Sequence, residues 1–306
     1  MSKPIILSTD PGIDDAVALA ILLFDRQVDV KLIAAAAGNV GIEQTLTNVL
    51  KLEKFLNKKV PVVQGCKRAI VKKPIDAASV HGKSGMDGYN FPEPDNSLLL
   101  ENQVAPEVIH QVVANSPEKV TLVGIAPLTD FAMYIRLYPA DLANIEELVM
   151  MGGCIGRGNY GVLSEFNIAG DPEAAKIVFE SGLKIRVAPL ELGFQAKIKP
   201  EVSEQIKSLG KVGDMFYSLF KRYRGGSFNT GLKIYDALAA GILLKPEMFE
   251  FEETHVEIIT DSGYTYGASL MDFNDKLHQS PNAIIGKSVN VAEFVEWFVS
   301  AIKQAS

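Results

Sequence analysis

The sequence predicts an α/β protein with an open, mainly parallel central sheet that is flanked by helices. Short apolar segments of strand length alternate along the chain with longer segments in which apolar residues recur every three or four positions. This alternation is typical of repeated strand–helix units, which build parallel sheets covered on both faces. Because no linker, internal repeat or low-complexity tract interrupts the pattern, we expect a single domain over residues 1–306.

The predicted elements follow one another in a regular order. Strands rich in branched aliphatic residues are expected over residues 4–8, 30–38, 60–65, 120–125, 145–153 and 183–190. Helices are expected between them, over residues 13–25, 42–57, 104–116, 128–138 and 171–182. The C-terminal part is predicted to hold a helical section near 200–245, a pair of strands near 255–270, and a closing helix over 290–303 with Asn290 as its N-cap.

Residues 66–103 break this regularity. They are rich in Lys, Pro, Gly, Asp and Asn and show neither strand nor helix periodicity. An irregular segment of this length is either a functional loop or a disordered one.

Composition excludes several classes of protein. The chain carries a formal net charge of −7, whereas binding to nucleic-acid phosphates needs clustered Lys and Arg. No run of about 18 apolar residues is present, so no membrane span is expected. Residues 1–25 lack the layout of a signal peptide, and the two cysteines, Cys66 and Cys154, form no disulfide framework. We therefore expect a cytoplasmic protein with reduced thiols.

Three aspartates, Asp10, Asp14 and Asp15, crowd the turn between the first strand and the first helix. Ligands of open parallel sheets bind at the carboxyl ends of the strands, which is where this turn lies. One such aspartate could simply cap the helix, but three repel one another and favour a compensating cation. Carboxylate oxygens suit Ca²⁺ or Mg²⁺, and several protein carboxylates favour Ca²⁺.

Polar residues also follow other predicted strands or begin helices, in positions that would bring them to the same edge. These are Asn39, the main-chain carbonyl of Ile125, the loop residues Asn159, Glu165 and Asn167, and Asp236. Amide and carboxylate side chains can accept or donate hydrogen bonds to vicinal hydroxyls, so the set suits a sugar-like ligand.

Five stretches carry a family resemblance when they are taken in order: "DPGIDDAVA" at 10–18, "GN" at 38–39, "HGKSGM" at 81–86, "EFNIAGDPEAA" at 165–175 and "YDALA" at 235–239. The chain resembles the nucleoside hydrolases of the inosine-uridine preferring type, which cleave the N-glycosidic bond of ribonucleosides. The stretch 76–91 looks most like the bacterial broad-specificity ribonucleoside hydrolases. The resemblance implies a Rossmann-like open α/β fold, a ribonucleoside substrate and a homodimer or homotetramer.

The resemblance also implies a role for each candidate residue. One Ca²⁺ would be bound by Asp10, Asp15, Asp236 and the main-chain carbonyl of Ile125, and Asp10 would act as general base on a calcium-bound water. The ribose hydroxyls would be bound by Asp14, Asn39, Asn159, Glu165 and Asn167. His81 would lie near the nucleobase.

Two positions depart from the family pattern. Ser8 stands where the family often has an aspartate, and Tyr235 stands where it often has the histidine that protonates a purine leaving group. Tyr is the weaker acid, with a reference pKa of ~10 against ~6.5 for His. Help to the leaving base is therefore expected from His81, from Tyr235, or from neither.

Two other functions remain open from the sequence. A Mg²⁺-dependent phosphohydrolase would use Asp10 as nucleophile, but it would want a second aspartate two residues away, where Ser8 and Gly12 stand. A nucleoside- or sugar-binding protein with impaired catalysis would account for Ser8 and Tyr235.

Overall fold

Eight strands form one central sheet in the computed structural model, which describes residues 2–306. The strands of the chain are β1 (Lys3–Thr9), β2 (Val28–Ala35), β3 (Val62–Gln64), β4 (Val120–Gly124), β5 (Ile145–Met151), β6 (Ile185–Ala188), β7 (Gly226–Ser227), β8 (Gly231–Leu232), β9 (Phe249–Thr254), β10 (Val256–Ile258), β11 (Ser269–Met271) and β12 (Ala283–Val289). The order across the central sheet is β3-β2-β1-β4-β5-β6-β12-β9. All neighbours pair in parallel except β12 and β9, which are antiparallel.

Helices cover both faces of this sheet. They are α1 (Ile13–Phe24), α2 (Ile42–Leu56), α3 (Ala78–His81), α4 (Ala105–Ala114), α5 (Thr129–Leu137), α6 (Phe166–Gly170), α7 (Pro172–Phe179), α8 (Leu190–Gln195), α9 (Pro200–Lys207), α10 (Gly210–Phe220), α11 (Tyr235–Leu244) and α12 (Val291–Gln304). Ile5 and Leu7 of β1 pack into the core with α1, α11 and α12, whereas Ile6 packs into the second core with α4, α5 and α7. Burial on both faces explains the unbroken apolar run of this strand.

The direction of the strand order reverses beside β1. The chain adds β2 and β3 on one side of β1 and then crosses to place β4 on the other side. A crevice opens at such a switch point, outside the carboxyl ends of the two adjacent strands. Asp10, which follows β1, and Ile125, which follows β4, therefore lie at the crevice.

The predicted fold class is confirmed, and the main differences lie in the C-terminal third, besides the short helices α6 and α8, which we did not predict. The helical section near 200–245 is interrupted by the β7–β8 hairpin. Strands do occur near 255–270, but β10 and β11 form a separate two-stranded sheet, and we did not predict β9 and β12 of the central sheet. Asn290 caps α12 as predicted, since its side chain accepts the N–H of Glu293. Residues 66–103 are irregular apart from α3 and one 3₁₀ turn.

Within residues 2–306, no helix combines the length and the apolar character that crossing a membrane requires. Both cysteines of the described chain, Cys66 and Cys154, are free thiols.

Candidate active site

The acidic turn after β1 is organised around Asp15. Its Oδ1 accepts the Thr9 hydroxyl at 2.8 Å and the Asp10 N–H at 3.2 Å, and its Oδ2 accepts the Gly12 N–H at 3.0 Å. These bonds satisfy backbone donors at the start of α1 and fold the turn back on itself. Asp15 is thereby held rigidly beneath the crevice, fully buried.

Asn39 connects the end of β2 to this turn. Its N–H donates to Oδ2 of Asp10 at 2.6 Å, and its side-chain amide donates to the Asp10 carbonyl at 3.2 Å and to Oδ2 of Asp15 at 2.9 Å. The other carboxylate oxygen of Asp10, Oδ1, is buried and has no hydrogen-bond partner within residues 2–306, and the same is true of Oδ1 of Asp14. Buried oxygens without partners are costly, and a cation coordinated by these two atoms would offset that cost.

Asp236, in the first turn of α11, brings a further carboxylate to the cluster. Asp14, Asp15 and Asp236 each offer an oxygen, and these oxygens all lie within 4.8 Å of one another. Asp10 is outside this group of three but contributes its own partnerless oxygen beside it. A buried set of hard oxygen donors fits a divalent cation such as Ca²⁺.

The charges of the cluster support the same conclusion. Burial, with the neighbouring charge of Asp15, raises the pKa of Asp14 to about 7. Burial and the surrounding carboxylates likewise raise the pKa values of Asp10 and Asp236 well above the usual range. Over the described residues no Lys or Arg forms an ion pair with these carboxylates. A bound cation would therefore supply the compensating charge.

Glu165, Asn159 and Asn167 form a second polar group, in the loop after β5 and the first turn of α6. Oxygens of Glu165 accept the N–H groups of Gly153 and Asn167, both at 3.0 Å. Burial raises the pKa of Glu165 to about 7, although these donors favour its ionised form. The side-chain amide of Asn167 lies 3.4 Å from the carbonyl of Ile125, and Oδ1 of Asn159 accepts the Phe166 N–H at 2.8 Å.

His81 is held as a neutral imidazole. Its Nδ1 accepts the N–H of Ile13 at 3.0 Å, which leaves the ring proton on Nε2. Burial lowers the pKa of His81 to about 4. A Cβ at position 12 would lie only 2.5 Å from Nδ1 of His81, so glycine at this position is what allows the imidazole ring to pack against the turn. His81 therefore enters the site as a hydrogen-bond donor without a positive charge.

Tyr235 and Tyr223 complete the aromatic part of the site. The Tyr235 ring packs on Gly193, where an added Cβ would lie 2.3 Å from two ring carbons. The Tyr223 hydroxyl lies 2.9 Å from Oδ2 of Asp14 and 2.9 Å from the Lys233 carbonyl, so it can donate to either. Tyr223 thus packs in the hydrophobic core and also makes a polar contact to the acidic turn.

A cavity of about 180 Å³ joins these groups. It is lined by the predicted site residues Asp14, Asn39, His81, Ile125, Asn159, Glu165, Asn167, Tyr235 and Asp236. Asp10 and Asp15 are fully buried beside it. Arg224 and Lys233 also line the cavity, but the sequence analysis did not predict them as site residues. Neither belongs to one of the quoted motifs or to a periodic pattern of charged residues.

Ser8 contributes no side-chain contact to this arrangement. Its carbonyl accepts the Ile125 N–H at 3.0 Å, which joins β1 to the end of β4. Its hydroxyl is buried and has no hydrogen-bond partner among residues 2–306. The Ser8 side chain therefore does not orient Asp10, whose carboxylate is held by the hydrogen bond from Asn39.

Fold and site together define an α/β enzyme whose carboxylate cluster, at the switch point of the sheet, suits a divalent cation and a polyhydroxyl substrate. The family described as inosine-uridine preferring nucleoside hydrolase matches residues 5–296, and the chain belongs to this family. The predicted family is therefore confirmed, and with it the class of reaction, hydrolysis of a nucleoside at its N-glycosidic bond.

Individual relatives agree with this assignment. The chain is 41% identical over 304 residues to the non-specific ribonucleoside hydrolase RihC of Salmonella paratyphi B, covering 99% of each chain. It is 42% identical over 296 residues to the protein of the same name from Salmonella typhi, covering 97% of this chain and 96% of that one. A solved purine-preferring ribonucleoside hydrolase from Gardnerella vaginalis superposes with a TM-score of 0.90 at 24% identity, with 99% of each chain covered, which bears on the fold alone.

Proposed function

We propose that the chain hydrolyses purine and pyrimidine ribonucleosides to free nucleobase and ribose, with one Ca²⁺ per chain and Asp10 as general base. The observation that carries the proposal is the buried carboxylate cluster with partnerless oxygens on Asp10 and Asp14, beside a cavity lined with amides. The names of the Salmonella relatives, which are called non-specific, support a broad choice of base.

The ligands proposed for Ca²⁺ are Asp10, Asp15, Asp236 and the main-chain carbonyl of Ile125. Asp14 is close enough to Asp15 and Asp236 to share the ion or to bind a ribose hydroxyl beside it. When bound, the cation would lower the pKa of a water molecule and offset the charge of the cluster.

Asp10 has the geometry that a general base needs. Its Oδ2 is engaged by the Asn39 N–H, whereas its Oδ1 has no partner over residues 2–306 and is the atom free to accept a proton. As the water oxygen attacks C1′, this carboxylate takes the proton that the water loses. Asn39 keeps the carboxylate aligned throughout, which is the geometric requirement for proton transfer.

The other polar residues act on the sugar. Positive charge grows on the ribose as the glycosidic bond lengthens, in a transition state that resembles an oxocarbenium ion. Glu165, which accepts the N–H groups of Gly153, Asn167 and Ile168, would place a negative charge in the cavity when it is ionised. Asn159 and Asn167, with Asp14 and Asn39, would hold the ribose hydroxyls and so fix C1′ relative to Asp10.

A product assay tests this function directly. The protein with Ca²⁺ is incubated with inosine, uridine, cytidine or adenosine, and we expect free base and ribose from each. 2′-Deoxyuridine is the matched control substrate, and we expect it to react more slowly because a hydroxyl contact is lost. Absence of base release from all four ribonucleosides would refute the proposal. Phosphate release from nucleotides would instead indicate a phosphohydrolase, and calorimetric binding without turnover would indicate a binding protein.

Tyr235→Phe should lower kcat for inosine by about fivefold. The hydroxyl is proposed to donate a hydrogen bond to the leaving base, and a bond of this kind contributes about 1 kcal/mol. The effect stays modest because burial and nearby carboxylates raise the pKa of Tyr235 above its usual value, which makes it a poor acid. Steady-state kinetics provide the measurement, with Tyr264→Phe, a fully exposed position, as the control. Unchanged inosine cleavage would exclude the hydroxyl from the reaction.

We also propose a homodimer or homotetramer. Apolar side chains in the loop between β5 and α6 are exposed by 36% or more, namely Ile155, Tyr160, Val162 and Leu163. Covering such side chains is a common reason for association. Light scattering on the purified protein would give the mass, and a monomer at micromolar concentration would contradict the proposal.

A further inference from the structure

Two basic residues line the same cavity as the acidic cluster, Arg224 and Lys233. Arg224 is exposed, and its Nη1 is turned toward the carbonyls of Lys221 and Tyr223, at 3.4 and 3.5 Å, near the end of α10. Lys233 is half-buried and forms no ion pair with any described residue. Arg224 likewise forms no ion pair with a described residue, but Lys233 is the less exposed of these two cations at the cavity.

Hydrogen bonds fix the backbone of Lys233, and two aromatic rings lie near its ammonium group. Its N–H donates to the Gly225 carbonyl at 2.7 Å, and its own carbonyl lies 2.9 Å from the Tyr223 hydroxyl. Its ammonium lies 4.8 Å from the centroid of the Phe194 ring and 5.8 Å from that of Tyr235. Contact with aromatic faces suits a partly desolvated cation, and burial lowers the pKa of Lys233. The ammonium is thus near the residue that stands where the family often has its acid.

The proposed reaction develops negative charge on the leaving base. When the bond between C1′ and the base nitrogen breaks, the electron pair leaves with the nucleobase, which becomes anionic unless it is protonated. His81 is neutral because it accepts the Ile13 N–H and is buried. Tyr235 can donate a hydrogen bond but brings no charge. Neither residue offsets the charge of the departing base.

We propose that Lys233 is a catalytic residue whose ammonium stabilises the nucleobase anion as it departs. This inference rests on the proposed function and specifies how its leaving group is assisted. The water oxygen bonds to C1′ and its proton passes to Asp10, while the electron pair of the broken bond goes to the base. The base then takes a proton from solvent, Asp10 returns one to solvent, and Lys233 stays protonated throughout.

Two substrates that differ in their leaving group test this role. Inosine and uridine release a poor leaving group, whereas 4-nitrophenyl β-D-ribofuranoside releases a stable phenolate that needs no cation. Lys233→Met should lower kcat for inosine and uridine about 100-fold, the usual effect of removing one electrostatic contact to a developing anion. It should change kcat for the nitrophenyl riboside by less than about threefold.

Matched variants separate charge from structure. Lys233→Arg keeps the charge and should retain most of the activity on inosine. Lys197→Met removes a neighbouring exposed lysine that does not line the cavity, and it should leave both substrates unaffected. Equal losses on both substrates for Lys233→Met, or no loss on either, would overturn the proposal. A wild-type protein inert on every ribonucleoside and on the nitrophenyl riboside would refute the proposed function itself.

Discussion

Asp10→Asn is expected to lower kcat for every ribonucleoside by about a thousandfold or more, the range found when a positioned general base is lost. Asparagine has nearly the same shape but cannot take up a proton at the position of Oδ1. The Asn39 N–H can still donate to the oxygen at Oδ2, so the turn should keep its conformation. Initial rates with inosine and uridine, in saturating Ca²⁺, give the measurement.

The control for this variant is Asp261→Asn, an exposed carboxylate in the loop between β10 and β11. It removes the same charge at a distance from the cavity and should leave kcat unchanged. Thermal unfolding of both variants separates a loss of catalysis from a loss of structure. If Asp10→Asn retained its activity, the proton acceptor would have to be another carboxylate of the cluster, and the proposed mechanism would be wrong.

Removing divalent cations should destabilise the protein, and the effect should grow with pH. Folding raises the pKa of Asp14 to about 7 from an unfolded value of 3.8, and it raises the pKa of Asp10 and Asp236 in the same direction. A raised carboxylate pKa means that the folded state binds more protons than the unfolded state. The stability of the cation-free protein should therefore fall as pH rises from about 4 to 7.

Bound Ca²⁺ should cancel this loss because it compensates the ionised carboxylates. At about 1,000 times its dissociation constant a ligand contributes about 4 kcal/mol, and we expect a rise in Tm on the order of 10 °C at pH 8. At pH 5 the rise should be much smaller, since protons compete for the same oxygens. Differential scanning calorimetry with EDTA or with Ca²⁺ at the two pH values makes the comparison. Identical Tm values with and without Ca²⁺ at pH 8 would show that the cluster holds no ion.

The central strands could be predicted from sequence because they are buried on both faces. In β1 and β4 every residue from Pro4 onward and from Val120 onward is buried, and both strands are mainly apolar. β9, "FEFEET", is a half-exposed edge strand, and β12 contains Gly286 and Lys287 within its pairing region. These two strands form because β9 pairs with β12 and β12 pairs with β6. Such contacts between distant segments cannot be read from the local amino-acid composition.

In the site, too, local features could be predicted from the sequence, whereas features that depend on contacts between distant segments could not. Asp10, Asp14 and Asp15 are close in sequence, so their crowding was visible without a structure. Lys233 is an isolated residue, and its position at the cavity depends on the path of the chain after α10. Roles assigned from the family resemblance, such as that of Tyr235, stay predictions until the variants are measured.

The Tyr223 hydroxyl contacts the carboxylate of Asp14 across 209 positions of the chain. During synthesis the acidic turn leaves the ribosome before α10 and α11 do, so the contacts that bury its carboxylates form late. The proposed ion site is complete only when α11, which carries Asp236, has docked against the acidic turn. Ion uptake would therefore mark the completion of folding, and a chain truncated before Asp236 would lack one carboxylate of the cluster.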